Sequence, residues 1–171
     1  MVFPNIRSDF RANGSRLGSQ GFWALVIYRF GRWRYSLHPR LLRMPFSFLY
    51  HILYKMVQIL SGIELPCEAQ IGRNLAIDHF GGIIVSGYAV IGNDCRIRNG
   101  VVIGLRNVDS PVAPRLGDRV DVGAGAKLLG AIVVGDDVQI GANAVVLTDV
   151  PANHIAVGVP AQVRQRRRGS P

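Results

Sequence analysis

The stretch LGDRVDVGAGAKLLGAIVVGDDVQIGANAVV, residues 116–146, repeats a simple pattern every six residues. A large aliphatic residue opens each unit, and a small or medium apolar residue such as Ala126 or Ala144 often comes four positions later. The aliphatic positions are Leu116, Val122, Leu128, Val134, Ile140 and Val146. A period of six is typical of a β-helix, in which each unit supplies one short strand and one turn and three units close a triangular coil. The stretch therefore predicts a solenoid with these aliphatic side chains in its interior.

The same step continues upstream, with two interruptions. Further aliphatic residues fall at Ile71, Ile77, Val85, Ile91, Ile97 and Ile103. The step from Ile77 to Val85 is eight, which leaves two extra residues around Phe80-Gly81-Gly82, and the step from Ile103 to Leu116 is thirteen. Insertions in a solenoid form surface loops, often on the side that binds ligands. We therefore expect the Asp-His pair beside the first interruption to be exposed.

The N-terminal part of the chain has a different pattern. Residues 15–62 carry apolar residues at helical spacing with arginines between them, and His38-Pro39 breaks the pattern. A second helix is predicted from about Pro45 to Leu60, with Gly62 ending it. Both helices are amphipathic, basic and aromatic. Their apolar faces could lie on a membrane surface, or pack on the rest of the protein or on neighbouring subunits.

Composition sets the remaining limits. The 171 residues suit one compact domain with an accessory element, and the net charge of +9 comes from the two ends of the chain. We expect a basic helical arm over 1–62, a β-helix over 63–163 and a basic tail over 164–171. The tail could bind phosphates or serve only as solvated charge, and no nucleic-acid-binding fold accompanies it.

Cysteine usage and apolar runs bear on the location of the protein. Cys67 and Cys95 have neither metal-ligand spacing nor a disulfide framework. The first residues have no signal-peptide core, and no apolar run reaches the length of a membrane span. We therefore expect a cytoplasmic protein, peripheral on the inner membrane face if the arm contacts lipid.

Three segments carry a resemblance to a known family. They are DHFGGIIV from Asp78, VGAGAKLLGAIVVGDDVQIGANAVVLTDVP from Val122, and the closing AVGVPAQV. Residues 62–163 resemble the hexapeptide acyltransferases, in particular their serine acetyltransferase-like branch. The resemblance implies an all-β core formed by a left-handed parallel β-helix, a homotrimer with active sites between subunits, acetyl-CoA as donor and no metal.

Acetyl transfer from a thioester to a hydroxyl needs a base for the hydroxyl proton and donors for the developing oxyanion. Histidine titrates in the right range for the first task. The resemblance gives this role to His79, with Glu64, fifteen residues upstream, orienting the imidazole and Asp78 lining the acceptor pocket. The alternative for His79 is a surface histidine at a coil corner.

The resemblance also implies positions for the acetyl donor. Pantetheine lies along a groove between coils, where small residues are needed, and Gly104, Ala124 and Ala142 match those positions. The same residues could be small only because tight corners require it. Arg164 and Arg166 follow the GVPA turn and could meet the nucleotide phosphates.

The chain departs from the serine enzymes at the acceptor. Their Arg-His pair is replaced by Val112-Ala113, and a second histidine is replaced by Pro66. The segments DFRANG and GIELP, with the arginine-rich arm, resemble acetyltransferases of exopolysaccharide and capsule assembly. We therefore expect transfer to the hydroxyl of a saccharide or lipid-linked saccharide. The alternatives are a serine O-acetyltransferase with a changed pocket and a non-catalytic scaffold or membrane-docking subunit.

Overall fold

The computed structural model describes residues 3–107, 109 and 111–166. Most of the predicted basic tail, from 167 on, lies outside the described residues. Three helices come first: Phe3–Ala12 (α1), Gln20–Arg34 (α2) and Arg40–Ser61 (α3). None of the helices in these ranges combines the length and the apolar character that crossing a bilayer would need.

The helical arm differs from the prediction at its start. Helix α1 precedes the predicted helical region, and α3 begins at Arg40 instead of about Pro45. Pro45 removes one backbone hydrogen bond near the start of α3 without ending it. The predicted end of α3 is confirmed, because Gly62 caps it in the left-handed region with φ of 63°. Ser19 caps α2, its hydroxyl accepting from Phe22 N at 3.3 Å.

The described residues after α3 contain fifteen short strands, and the strands of each sheet stack along one face of a triangular solenoid. The first face contains Ile63–Glu64 (β1), Ile83–Val85 (β4), Val102–Gly104 (β7), Lys127–Leu129 (β10) and Val145–Val146 (β13). The second face contains Gln70–Ile71 (β2), Val90–Ile91 (β5), Arg115–Leu116 (β8) and Val133–Val134 (β11). The third face contains Ala76–Asp78 (β3), Arg96–Arg98 (β6), Asp121–Val122 (β9), Gln139–Ile140 (β12), His154–Val157 (β14) and Gln162–Gln165 (β15).

These pairings form about five coils of a parallel β-solenoid, which confirms the predicted fold. Every pairing is parallel except the final β14–β15 hairpin. All twelve aliphatic residues of the six-residue step are buried. At a corner such as Gly123, an added Cβ would lie 2.5 Å from Ala142 N of the next coil. Glycine is therefore required there by the close approach of two backbones.

The arm closes the N-terminal end of the solenoid, where the first coil has no preceding strand to pair with. Side chains of α1, α2 and the turn after α1 take over the missing hydrogen bonds of the first coil. Arg29 reaches this end with its guanidinium paired to Asp9, Nε to Oδ2 at 2.9 Å, and both side chains are buried. The backbone partners include Ala69 O, Ile71 N, Ile71 O, Leu75 O and Ile77 N.

Candidate active site

His79 lies at the corner that joins β3 on the third face to β4 on the first. It adopts φ of 64°, which is uncommon for a residue with a side chain, and its side chain is exposed. The two extra residues predicted from the eight-residue step lie here, so the corner is longer than the equivalent corners of the other coils. The interruption therefore places an imidazole on the outside of the solenoid.

The chain around His79 is held by its neighbouring coils. Gly81 O accepts from Gly100 N at 2.9 Å on the next coil, and Ile83 N donates to Gly62 O at 3.1 Å on the previous side. Gly81 has φ of 99°, and a Cβ there would meet nothing within 4 Å. Its glycine is therefore needed for backbone conformation and not for space. These bonds fix the position from which His79 projects.

His79 borders a cleft of about 730 Å³ between the helical arm and the third face. The arm contributes the turn from α1 to α2, and the solenoid contributes the end of β3 and the outward residues of β6. The lining residues are Ala12, Asn13, Gly14, Arg16, Gly18, Ser19, Gln20, Ile77, Asp78, His79, Phe80, Arg96 and Arg98. A cleft of this size and mixed polarity suits a small polar molecule.

Charged groups of both signs line this cleft. Asp78 Oδ2 accepts from Arg96 Nη1 at 2.8 Å, and Arg98 pairs with Asp121 on the next strand. The hydrogen bond that Arg98 donates to Asp121 raises the pKa of the Arg98 guanidinium, so Arg98 stays charged. Within the described ranges, the side chain of Arg16 makes no ion pair and no hydrogen bond. Arg16 is thus available to an anionic group in the cleft.

Glu64 lies on the outward side of β1, beside Ile84 of β4, and is exposed. Its charge acts on the arm: burial raises the pKa of Tyr54 to about 12, with the charges of Glu64 and Glu68 adding to it. Across 3–107, 109 and 111–166, no hydrogen bond joins Glu64 to His79, although they lie on successive coils near the same corner. The orienting role of Glu64 stays a prediction.

The three small residues expected to border the acetyl donor lie at two edges of the first face. Ala124 and Ala142 lie on successive coils at the same corner of the solenoid as His79. Gly104 ends β7 at the other edge of the first face. A Cβ on Gly104 would meet Val102 Cγ1 at 3.5 Å and Leu129 Cδ2 at 3.8 Å, which are ordinary contacts. The packing of this chain therefore does not require glycine at 104, and a ligand passing close to the backbone would.

The two arginines expected at the nucleotide phosphates lie near the C-terminal end of the solenoid. Arg164 is exposed in β15 and donates to Gln162 Oε1 at 3.0 Å. Arg166 is partly buried. The hydrogen bond that Arg119 donates lowers the pKa of Asp137, and the charge of Arg166 lowers it further. Both guanidinium groups are two coils or more from the His79 corner, at the opposite end of the solenoid.

Sequence reasoning missed three cleft residues, Arg16, Arg96 and Arg98. Arg98 lies in register with Asp78 on the next coil, twenty residues later, so the spacing of the repeat indicates its position beside Asp78. Arg16 comes from the arm, whose position on the solenoid no periodicity predicts. Among the described residues, no group of three or more histidine, cysteine or acidic side chains could hold a metal ion.

The chain is similar to curated serine acetyltransferases. It is 44% identical over 149 residues to the serine acetyltransferase of Helicobacter pylori strain J99, covering 86% of this chain and 83% of that protein. It is 39% identical over 177 residues to the serine acetyltransferase of Synechococcus elongatus, covering 96% of this chain and 70% of the relative. No protein-family model matches the chain.

Solved structures give the same result. Soybean serine acetyltransferase complexed with serine superposes with a TM-score of 0.82 at 32% identity, covering 95% of this chain and 69% of that one. Serine acetyltransferase from Brucella abortus strain S19 in complex with coenzyme A also has a TM-score of 0.82, at 28% identity, covering 96% and 68%.

These comparisons correct the expectation of a saccharide acceptor. The relatives and structures described above are serine acetyltransferases, and none is an enzyme of exopolysaccharide or capsule assembly. The motifs DFRANG and GIELP were therefore wrong guides to the acceptor. Asp9 and Asn13 of the first motif bind the first coil, which explains their presence by folding alone.

Proposed function

The chain belongs to the serine acetyltransferase family and is an acetyl-CoA-dependent acyltransferase, and on that premise we propose that its acceptor is the hydroxyl of L-serine. The products are then O-acetylserine and coenzyme A, the opening step of cysteine synthesis. One observation carries the proposal. The cleft at His79 offers an imidazole, a carboxylate and the guanidinium of Arg16, which has no ion pair among the described residues, and these match the hydroxyl, ammonium and carboxylate of a small zwitterion.

Each group of the acceptor has a proposed partner in the cleft. Asp78 lies at the end of β3, and its carboxylate binds the serine ammonium while it remains paired with Arg96. Arg16 binds the serine carboxylate, which compensates for Val112 and Ala113 at the positions of the family's Arg-His pair. A serine carboxylate without a partner in such a site would be costly, so the presence of the Arg16 guanidinium in the same cleft supports an amino-acid acceptor.

His79 acts as the general base of the transfer. Acetyl-CoA, when bound, supplies the acetyl group as a thioester. A ring nitrogen of His79 takes the proton of the serine hydroxyl as its oxygen attacks, and the proton then passes to the departing thiolate of coenzyme A. Glu64 orients the protonated imidazole after turning toward the corner from its exposed place on β1.

Small residues and two arginines hold the donor in this proposal. Gly104, Ala124 and Ala142 leave room for pantetheine against the backbone, and the unneeded glycine at 104 supports this most directly. Arg164, exposed in β15, and Arg166, which follows that strand and is partly buried, meet the phosphates through their positive charge.

We also propose a homotrimer with active sites between subunits, in the cytoplasm. Outward residues of the first face include Ile84, Val102 and Val145, with Lys127 between the last two, and a neighbouring copy would cover the apolar side chains among them. Light scattering at several concentrations tests the mass. The cytoplasmic location is supported by Cys67 and Cys95, which are both free and buried.

Release of free thiol from acetyl-CoA with L-serine as sole acceptor tests the function. We expect turnover by the full chain, and a loss of about 10²–10⁴-fold in kcat on His79→Ala. His51→Ala, an exposed histidine on α3, is the matched control and should retain activity. Absence of serine turnover with intact activity toward another hydroxyl compound would refute the acceptor, and an active His79→Ala would refute the base.

A further inference from the structure

Helix α3 turns an almost entirely apolar face away from the protein. Its opposite side packs inward through Tyr50, which is 2% exposed. By contrast, Leu41 is 75% exposed, Phe48 71% and Ile59 73%, and their spacing places them on one stripe of the helix. The exposed apolar residues of this α3 face are Leu41, Leu42, Met44, Phe46, Phe48, Leu49, Ile52, Met56, Ile59 and Leu60.

The α3 face groups ten exposed large apolar side chains on one helix, and contiguous apolar surface of this kind marks contacts with proteins or membranes. One expectation from the sequence was that the face packs on the rest of the chain, and the structure contradicts it, because the first coil is already covered by the other side of α3. Within residues 3–107, 109 and 111–166, no other part of this chain covers the α3 face.

The charges around the α3 face indicate what covers it. Helix α3 has Arg40, Arg43 and Lys55 and no acidic residue. In the whole of 1–62 the one acidic residue is Asp9, which is buried and paired with Arg29. The basic residues of this region are Arg7, Arg11, Arg16, Arg29, Arg32, Arg34, Arg40, Arg43 and Lys55.

A face of this kind has charge complementarity to one partner. Two copies of α3 packed face to face would bring their basic residues together with no carboxylate on either helix to offset the repulsion. A bilayer surface with anionic headgroups offers both an apolar layer and negative charge. The 22 residues of α3 extend about 33 Å, and a helix lying in the plane of the interface buries such a stripe along its whole length.

We infer that α3 docks the protein on an anionic membrane surface, with its apolar stripe among the acyl chains and its exposed basic residues, Arg40 and Lys55, at the headgroups. This docking is independent of the acceptor and of the chemistry at His79. The α3 face shares no residue with the cleft, so lipid binding and acetyl transfer can be measured separately.

Vesicle flotation with the full chain tests the inference. Vesicles of phosphatidylcholine are compared with vesicles that also contain phosphatidylglycerol, at low and high salt. We expect binding to the anionic vesicles and weaker binding at high salt. In the variant Phe48→Ser/Ile59→Ser, partitioning should fall by about tenfold for each apolar side chain removed. Acetyl transfer in solution should not change.

The matched control is Tyr88→Ser/Val133→Ser, which removes two exposed apolar side chains from the solenoid, 62% and 52% exposed. It should bind vesicles as the unmodified chain does. Light scattering and circular dichroism follow the mass and fold of each variant. Three results would overturn the inference: no vesicle binding by the unmodified chain, equal binding by both variants, or a change in mass in the α3 variant, which would assign the face to contacts between copies.

Discussion

Removing the carboxylate of Asp9 should destabilise the protein more than any change to a surface ion pair. In the structure Asp9 accepts from Arg29 Nε at 2.9 Å and from Asn74 N at 3.1 Å. Asp9→Ala leaves the Arg29 guanidinium 4% exposed and without a counter-charge. Breaking a buried pair from one side costs about 3–5 kcal/mol. Arg29 retains its bond to Ile71 O at 2.9 Å, so we expect the lower end, about 3 kcal/mol.

The measurement is urea unfolding followed by circular dichroism at one fixed protein concentration. A loss of about 3 kcal/mol corresponds to about 6–12 °C in Tm for a chain of this size. Asp9→Leu/Arg29→Met removes both charges and should recover part of the loss, because the carbonyls of Ile71 and Gly72 and the amide of Asn74 are left without these partners. Arg119→Ala breaks an exposed pair with Asp137 and should leave the unfolding midpoint unchanged.

Hydrogen exchange gives a local reading of the same perturbation. If the arm caps the first coil, Asp9→Ala should speed exchange at the amides of Ile71 and Ile77, which donate to Tyr28 Oη and Asn13 Oδ1. The amide of Val102, in the middle of the solenoid, should not change. A cost of Asp9→Ala below about 1 kcal/mol, or additive effects in the double variant, would refute a buried and coupled ion pair.

Three further predictions test the corners, the core and the cleft. Gly123→Ala should lower the free energy of unfolding in urea by about 3 kcal/mol, because its Cβ would collide with backbone atoms of the next coil. Gly18→Ala, whose Cβ would meet nothing within 4 Å, should be nearly neutral. Equal effects of the two variants would contradict the stacking of the coils. Burial raises the pKa of Cys95 from 9.0 to about 11, so the thiol ionises in the unfolded chain before it ionises in the folded one. The free energy of unfolding should therefore fall by up to about 2.7 kcal/mol as pH rises from 9.0 to about 11. The variant Cys95→Ala should not show this fall. Arg16→Ala should raise the KM for L-serine about tenfold or more, with a smaller effect on kcat. Arg119→Ala should leave this KM unchanged. An unchanged KM in Arg16→Ala would show that Arg16 is not part of the acceptor site.

The solenoid was predictable because its physical cause is written into every coil. Each coil repeats the same requirement, an aliphatic residue inside and a small residue at the corner, so the pattern of Leu128 and Val134 recurs until chance is a poor explanation. The two interruptions were predictable for the same reason, since a missed step can only be an insertion. They correctly marked the His79 corner and the loop before Arg115.

The cleft was only half predictable. His79 and Asp78 lie beside an interruption of the repeat and in a recognisable motif, so the sequence points to them directly. Arg16 belongs to a turn that Gly14, with φ of 77°, and Ser15, with φ of 54°, indicate locally, and nothing in its spacing places it opposite β3. The contact depends on how the arm docks, which Asp9, Asn13 and Tyr28 determine through bonds spanning more than forty residues. Such long-range polar contacts leave no periodic trace.

The packing of the arm on the solenoid does not account for the α3 face. A parallel solenoid ends in a coil with unpaired backbone groups, and an arm that covers this end must bring polar side chains to it. Tyr28 and Arg29 of α2 do so, with Asp9 neutralising the charge. Helix α3 packs on the core through Tyr50 and partly buried hydrophobic neighbours, while its other side carries exposed apolar residues such as Phe48. An amphipathic helix that packs only on a solenoid has its apolar side inward and a polar side in water. Helix α3 has aromatic or apolar side chains on both sides, which is the reason to expect a second apolar partner, and the absence of carboxylates on the helix is the reason to expect that partner to be anionic.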